Sequence, residues 1–93
     1  MERTNYPHVV KIDGVSGAPA VIEETRMAVW HIVEYYYRVG MSVEEIVAEW
    51  NYLTPAKVFS ALAYYDENRE EIDEIRRQNS YERWLEQTSH AAD

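Results

Sequence analysis

Ninety-three residues make one small domain, which buries only about 60–65% of the surface its unfolded chain exposes. A hydrophobic content of 46% with 28% charged residues is that of a folded globular chain, and the absence of cysteine excludes a disulfide framework and thiolate metal sites. The net charge of −8 opposes long-range attraction to phosphate, and no run approaches the ~18 apolar residues of a membrane span.

The segment Met1 to Pro7 has no apolar core of a signal peptide, so a cytoplasmic location is expected. His8 to Asp13 is a short β-prone run closed by Gly14, Gly17 and Pro19, and Ala20-Val21-Ile22 can form a second strand. Residues 1–28 therefore read as an N-terminal β-hairpin or arm. Two short strands are marginal alone, so they must pack on the helices or pair with a second copy of the chain.

The first helix is expected from Met27 to Val39. Val29, Ile32, Val33 and Tyr36 recur at i, i+3, i+4 and i+7, and Trp30 and Tyr37 widen that stripe. Gly40 follows where a left-handed cap is expected. Ser42 and Glu45 form a capping-box pattern at the head of a second helix, with Val43, Ile46, Val47 and Trp50 as its apolar face. After Asn51-Tyr52-Leu53, Thr54 and Pro55 open a third helix, a favoured cap followed by a favoured first residue. Val58, Ala61, Leu62 and Tyr65 face inward, and with no breaker before Arg77 the helix is expected to continue through Ile72 and Ile75. Ser80 caps a last short helix carrying Tyr81, Trp84 and Leu85, and Thr88 to Asp93 is a frayed tail.

The fold class is therefore mainly α: a trihelical bundle of helix-turn-helix spacing over residues 29–66, with a β arm over 1–28 and an acidic helical extension over 67–93. The charge is uneven. Residues 66–93 hold nine acids against four bases, whereas residues 1–41 hold five against four. Such a C-terminal third either solvates a helix face or meets a basic protein surface.

Catalytic chemistry finds little support. His8, His31 and His90 are not at metal-ligand spacing, the three glycines match no phosphate loop, and the adjacent glutamates of Glu44-Glu45 and Glu70-Glu71 do not face one another. No enzyme activity, metal, cofactor or small-molecule substrate is expected. On the third helix Lys57 is the one outward cation able to meet a phosphate or a guanine edge, with Ser60 one turn on. Lys11, Arg26 and Arg38 can add backbone contacts from the arm and first helix. Tyr35-Tyr36-Tyr37 points in three successive directions and cannot all be core. Ile72, Ile75, Trp84 and Leu85 are apolar anchors on an acidic amphipathic stretch that either binds a partner or folds back on its own bundle.

The series Ile12-Asp13, Gly17, Pro19, Ile22, Thr25-Arg26, Val29, Gly40-Met41-Ser42, Glu44-Glu45-Ile46, Leu53-Thr54, Val58, Ala61-Leu62 and Tyr64 resembles the domain of unknown function 433 family. The resemblance covers roughly residues 8 to 70 and implies a homeodomain-like trihelical core. The chain departs from the family pattern at Glu24, where a glycine is usual, and at Ala28, where a proline is usual. The stretch from Pro19 to Thr25 is also one residue longer. Many members of the family resemble antitoxins paired with a toxin similar to PIN-domain ribonucleases. The resemblance thus implies a protein that binds such a toxin and represses its own operon. On that reading the chain is expected to be a homodimer, with Ile72, Ile75, Trp84 and Leu85 of the acidic stretch as partner anchors and Lys57, Arg26, Lys11 and Ser60 as DNA contacts. A self-associating interaction module without a DNA role is the alternative that composition supports.

Overall fold

A computed structural model of the chain describes residues 2–11 and 19–79. The fold is mainly helical, with a small three-stranded antiparallel sheet. Strands β1 (Glu2–Arg3), β2 (Val9–Lys11) and β3 (Val21–Ile22) lie in that order, with Arg3 opposite Val10 and Val9 opposite Ile22. Strands β2 and β3 fall within the two runs expected to be β-prone, whereas β1 was not anticipated. Its two residues are exposed and polar, so nothing in their pattern marks a strand. The sheet does not stand off as an arm. Val9, Ala20 and Ile22 join the same apolar core as the helices, so the division at residue 28 is not a physical boundary.

Helix α1 (Val29–Val33) starts two residues later than its periodicity suggests, because the preceding residues are still held by the sheet. The Ile22 amide donates to the Met27 carbonyl at 2.9 Å, Val21 bridges Ala28, and the Val29 amide donates to the Ala20 carbonyl. Ala28 offers no capping oxygen. Instead His31 Nδ1, three residues into the helix, accepts from the Ala28 amide at 3.3 Å, which fixes that nitrogen as unprotonated.

From Glu34 to Val39 the helix widens into a π-helical turn and ends at Gly40, whose φ of 87° and ψ of 22° are left-handed. The wider turn rotates less per residue than an α-helix, so the apolar stripe does not run on through Tyr36. Glu34 is buried in its place, while Tyr36 and Tyr37 are exposed. Tyr35 stacks on Trp50 with ring centroids 4.3 Å apart.

Helix α2 (Val43–Glu49) has the expected capping box: the Glu45 amide donates to Ser42 Oγ at 3.1 Å, and the Ser42 amide donates to Glu45 Oε1 at 3.0 Å. The chain then turns over buried Leu53 into α3 (Pro55–Glu67), where Thr54 Oγ1 accepts from the Lys57 amide. Helix α3 packs on α1, α2 and β2. Val29, Ile32, Val33, Ile46, Leu53, Val58 and Ala61 fill the space between them, each 2% exposed or less.

The third helix does not continue through Ile75. It stops at Asn68, and a separate helix α4 occupies residues 69–79. In an unbroken helix the Asn68 amide would reach the Tyr64 carbonyl; it donates to Tyr65 instead, and the Asn68 side-chain amide takes the vacated Tyr64 carbonyl at 2.9 Å. Asparagine can substitute for its own backbone in this way, which is why it breaks helices without a Gly or Pro signal. The break returns α4 to the bundle. Ile72, expected as a partner anchor, is fully buried in the chain's own core, and Ile75 is half-buried. Trp84 and Leu85, with the Ser80-capped helix, lie outside the described residues.

Candidate nucleic-acid interface

Charge bookkeeping locates the site. Among the described residues, Arg3 pairs with Glu23 at 2.7 Å, Lys11 with Glu71 at 2.6 Å, and Arg69 with Asp66 at 3.2 Å. Arg76 bridges Glu34 and Asp73, both at 2.9 Å, while Arg38 also pairs with Glu34 and Arg77 with Glu74. Two described cations have no carboxylate partner. Lys57 donates its ammonium to the backbone carbonyl of Tyr52 at 3.1 Å, and Arg26 makes no hydrogen bond or ion pair.

Tyr52 is common to the surroundings of both. Arg26 lines an open depression of about 590 Å³ with Glu24, Thr25 and Tyr52, and Lys57 is bound to that same Tyr52. Two connections set the geometry. The turn after β3 carries Glu24 to Arg26, and the α2–α3 connection carries Tyr52. Thr25 locks the turn: its hydroxyl donates to the Ile22 carbonyl at 2.8 Å and accepts from the Met27 amide at 3.0 Å. Its hydrogen-bonding capacity is spent there, so it positions its neighbours. Glu24 adopts a left-handed φ of 64°, a conformation that suits glycine. Its exposed carboxylate pairs with nothing among the described residues, including Arg26 two positions away.

Of the residues expected to contact nucleic acid, Arg26 lines the depression with Tyr52, and Lys57 bonds the Tyr52 carbonyl. Ser60 is half-buried one turn beyond Lys57 on α3. Lys11 is drawn elsewhere, to α4, where its ammonium faces Glu71; the hydrogen bond to that carboxylate raises its pKa above the ordinary lysine value. Arg38 is likewise committed to Glu34. Tyr52, 45% exposed, was not singled out from the sequence, where it read only as part of a turn. Phe59 is another exposed aromatic, on α3.

A second polar cluster ties α4 to the π-helical turn. Burial alone would raise the carboxyl of Glu34, but hydrogen bonds and charge from Arg76 and Arg38 outweigh it and hold it below the ordinary glutamate value. Tyr65 donates to Asp73 at 2.9 Å, and Tyr64 donates to Glu71 at 2.8 Å. All of these groups satisfy one another, so the cluster reads as a clasp between elements.

Residues 9–65 match the profile of a family described as protein of unknown function (DUF433), more than half of the chain. The chain belongs to the DUF433 family. A solved structure of a DUF433 member protein from Anabaena variabilis is similar at 34% sequence identity and a TM-score of 0.64. The match covers 72% of this chain and 65% of that one. Among curated proteins, none matches. The DUF433 match takes in β2, β3 and α1 to α3, and therefore Glu24, Arg26, Tyr52 and Lys57. It stops short of α4. No helix among the described residues is long and apolar enough to cross a membrane.

Proposed function

We propose that this DUF433 chain is an antitoxin-like protein of a prokaryotic toxin–antitoxin pair, a cytoplasmic homodimer that binds a toxin resembling PIN-domain ribonucleases and its own operator DNA. It acts by binding and not as an enzyme. The observation that carries the DNA half is that Arg26 and Lys57, the two described cations without a carboxylate partner, each have Tyr52 of the α2–α3 connection as a neighbour. In a helix-turn-helix reading, residues 50–54 are the turn and α3 is the recognition helix, with Lys57 in its first turn near the phosphates. The net charge of −8 is no local obstacle, because most of the acids on α4 are already paired.

The toxin half rests on the family resemblance and on the excess of acids over bases in the C-terminal third, which suits a basic protein surface. With Ile72 committed to the core, Ile75 and the residues beyond 79 are left for such a partner. The test has two arms. The salt dependence of binding to the DNA upstream of the gene is measured for the wild type, Lys57→Ala and Arg26→Ala. Each substitution should lower the log–log slope by about 1, and an unchanged slope refutes the DNA half. Co-purification from the host should recover a small PIN-like nuclease in near-stoichiometric amount; its absence refutes the toxin half.

A second reading is a self-associating module with no DNA role. Exposed Tyr36, Tyr37, Val39, Tyr52 and Phe59 favour it, because large exposed apolar side chains mark contact surfaces. Self-association with no affinity for the upstream DNA would select it.

A further inference from the structure

The depression between the β3 turn and the α2–α3 connection differs from an ordinary surface in how its groups are left. Glu24, Thr25, Arg26 and Tyr52 line one open depression of about 590 Å³, and Glu24 and Arg26 are two residues apart without pairing. Arg69 and Asp66, three residues apart, do pair in this chain, at 3.2 Å. Here the turn holds them apart. Thr25 sits between them with its hydroxyl bound to backbone on both sides, and Glu24 is turned by its left-handed backbone. The depression is open to solvent, so a ligand would lie on it with one face exposed.

We infer that this depression holds one unpaired nucleoside phosphate unit, with the phosphate on Arg26, the base stacked on Tyr52, and the base's N–H edge on Glu24. A guanidinium takes a phosphate through parallel N–H bonds. An exposed tyrosine ring offers a stacking face that any base can use. A carboxylate accepts hydrogen bonds only, so it selects bases that present N–H donors, and guanine presents two adjacent donors on one edge. The Lys57 ammonium holds the Tyr52 carbonyl at 3.1 Å and so ties down the backbone of the residue that supplies the ring. Duplex DNA cannot use this arrangement, because its base edges of this kind are paired. The ligand is therefore a single-stranded nucleic acid or a free nucleotide. The inference goes beyond the operator reading: it gives Arg26 a single strand or a free nucleotide as its ligand, and the duplex arm of the experiment separates the two.

The experiment titrates the full chain with guanosine monophosphate, uridine monophosphate, a labelled single-stranded RNA hexamer rich in guanine, and duplex DNA from upstream of the gene. The expected result is binding of guanosine monophosphate and of the hexamer, with uridine monophosphate weaker. Tyr52→Ala and Arg26→Ala should each weaken binding roughly tenfold, while Tyr52→Phe, which keeps the ring, retains it. Glu24→Gln should erase the preference for guanosine over uridine. Binding of the hexamer without the mononucleotide assigns the site to a strand, and binding of both with equal affinity per unit assigns it to the nucleotide; either upholds the inference. Binding of duplex alone, insensitive to Tyr52→Ala, overturns the inference and leaves the operator reading standing. Binding of none of the four overturns both.

Discussion

Glu24 and Glu34 show how much a single residue's setting matters. Glu24 occupies a left-handed position with φ of 64°, where the family pattern has glycine. A side chain there costs about 1–2 kcal/mol of backbone strain. Glu24→Gly should therefore stabilise the fold by about 1 kcal/mol, offset in part by the freedom glycine adds to the unfolded chain, and read as a raised urea midpoint. If the depression is a nucleotide site, the same substitution weakens base selection while stability rises, the trade seen where strain is kept for binding. Glu34 is buried and clasped by Arg76 and Arg38, with its carboxyl held below the ordinary value of 4.5. A depressed carboxyl stabilises the fold above the unfolded value and loses that contribution as pH falls through the folded value. Wild-type stability should therefore drop between neutral pH and about pH 3 by more than that of Glu34→Gln, measured by urea unfolding at several pH values. Parallel pH dependences would remove Glu34 from the account.

At the scale of elements, helix ends decide the architecture. The Ser42–Glu45 box and the Thr54 cap satisfy amides that would otherwise be orphaned, and both were legible because the donors and acceptors are close in sequence. Ser42→Ala should cost about 1 kcal/mol, seen as a lower thermal midpoint with the fold unchanged. Asn68 is the less visible case. Its side chain holds the Tyr64 carbonyl while its backbone amide moves to Tyr65, and the chain turns between α3 and α4. Asn68→Ala should remove that substitute donor and favour a straighter α3–α4 junction. The expected signs are a loss of about 1 kcal/mol and faster hydrogen exchange across residues 68–72. Unaltered exchange would mean that packing of Ile72, not Asn68, sets the turn.

On the scale of the whole molecule, α4 is part of the domain. Ile72 contributes a fully buried side chain, Lys11 reaches Glu71 from the sheet, and Arg76 reaches Glu34 from across the bundle. Ile72→Ala should cost about 2–4 kcal/mol, a large share of the stability of so small a domain. Removing the C-terminal third to test a partner would therefore unfold the core, so a partner surface should be mapped by substitutions at Ile75 and by removing only residues beyond 79. A destabilisation below 1 kcal/mol for Ile72→Ala would place α4 outside the cooperative unit.

Local rules carried the reading of this chain a long way. The apolar periodicity of Val29, Ile32 and Val33, the caps at Ser42 and Thr54, the left-handed Gly40 and the strands around Val9 and Val21 all follow from interactions within a few residues, and each could be read directly. Lys57 was expected as an outward cation of the third helix, and Arg26, with Lys11 and Arg38, as a cation of the arm and first helix; nothing local told these four apart. What sequence alone could not decide was which charges would find partners. Lys11 meets Glu71 and Arg76 meets Glu34 across long stretches of chain, while Arg26 and Glu24, two residues apart, stay unpaired. The fate of the apolar stripe past Val33, the return of α4 and the depression under Tyr52 have the same origin. They depend on which surfaces the bundle brings within a few ångströms, and Coulomb attraction and burial are settled only once those distances exist.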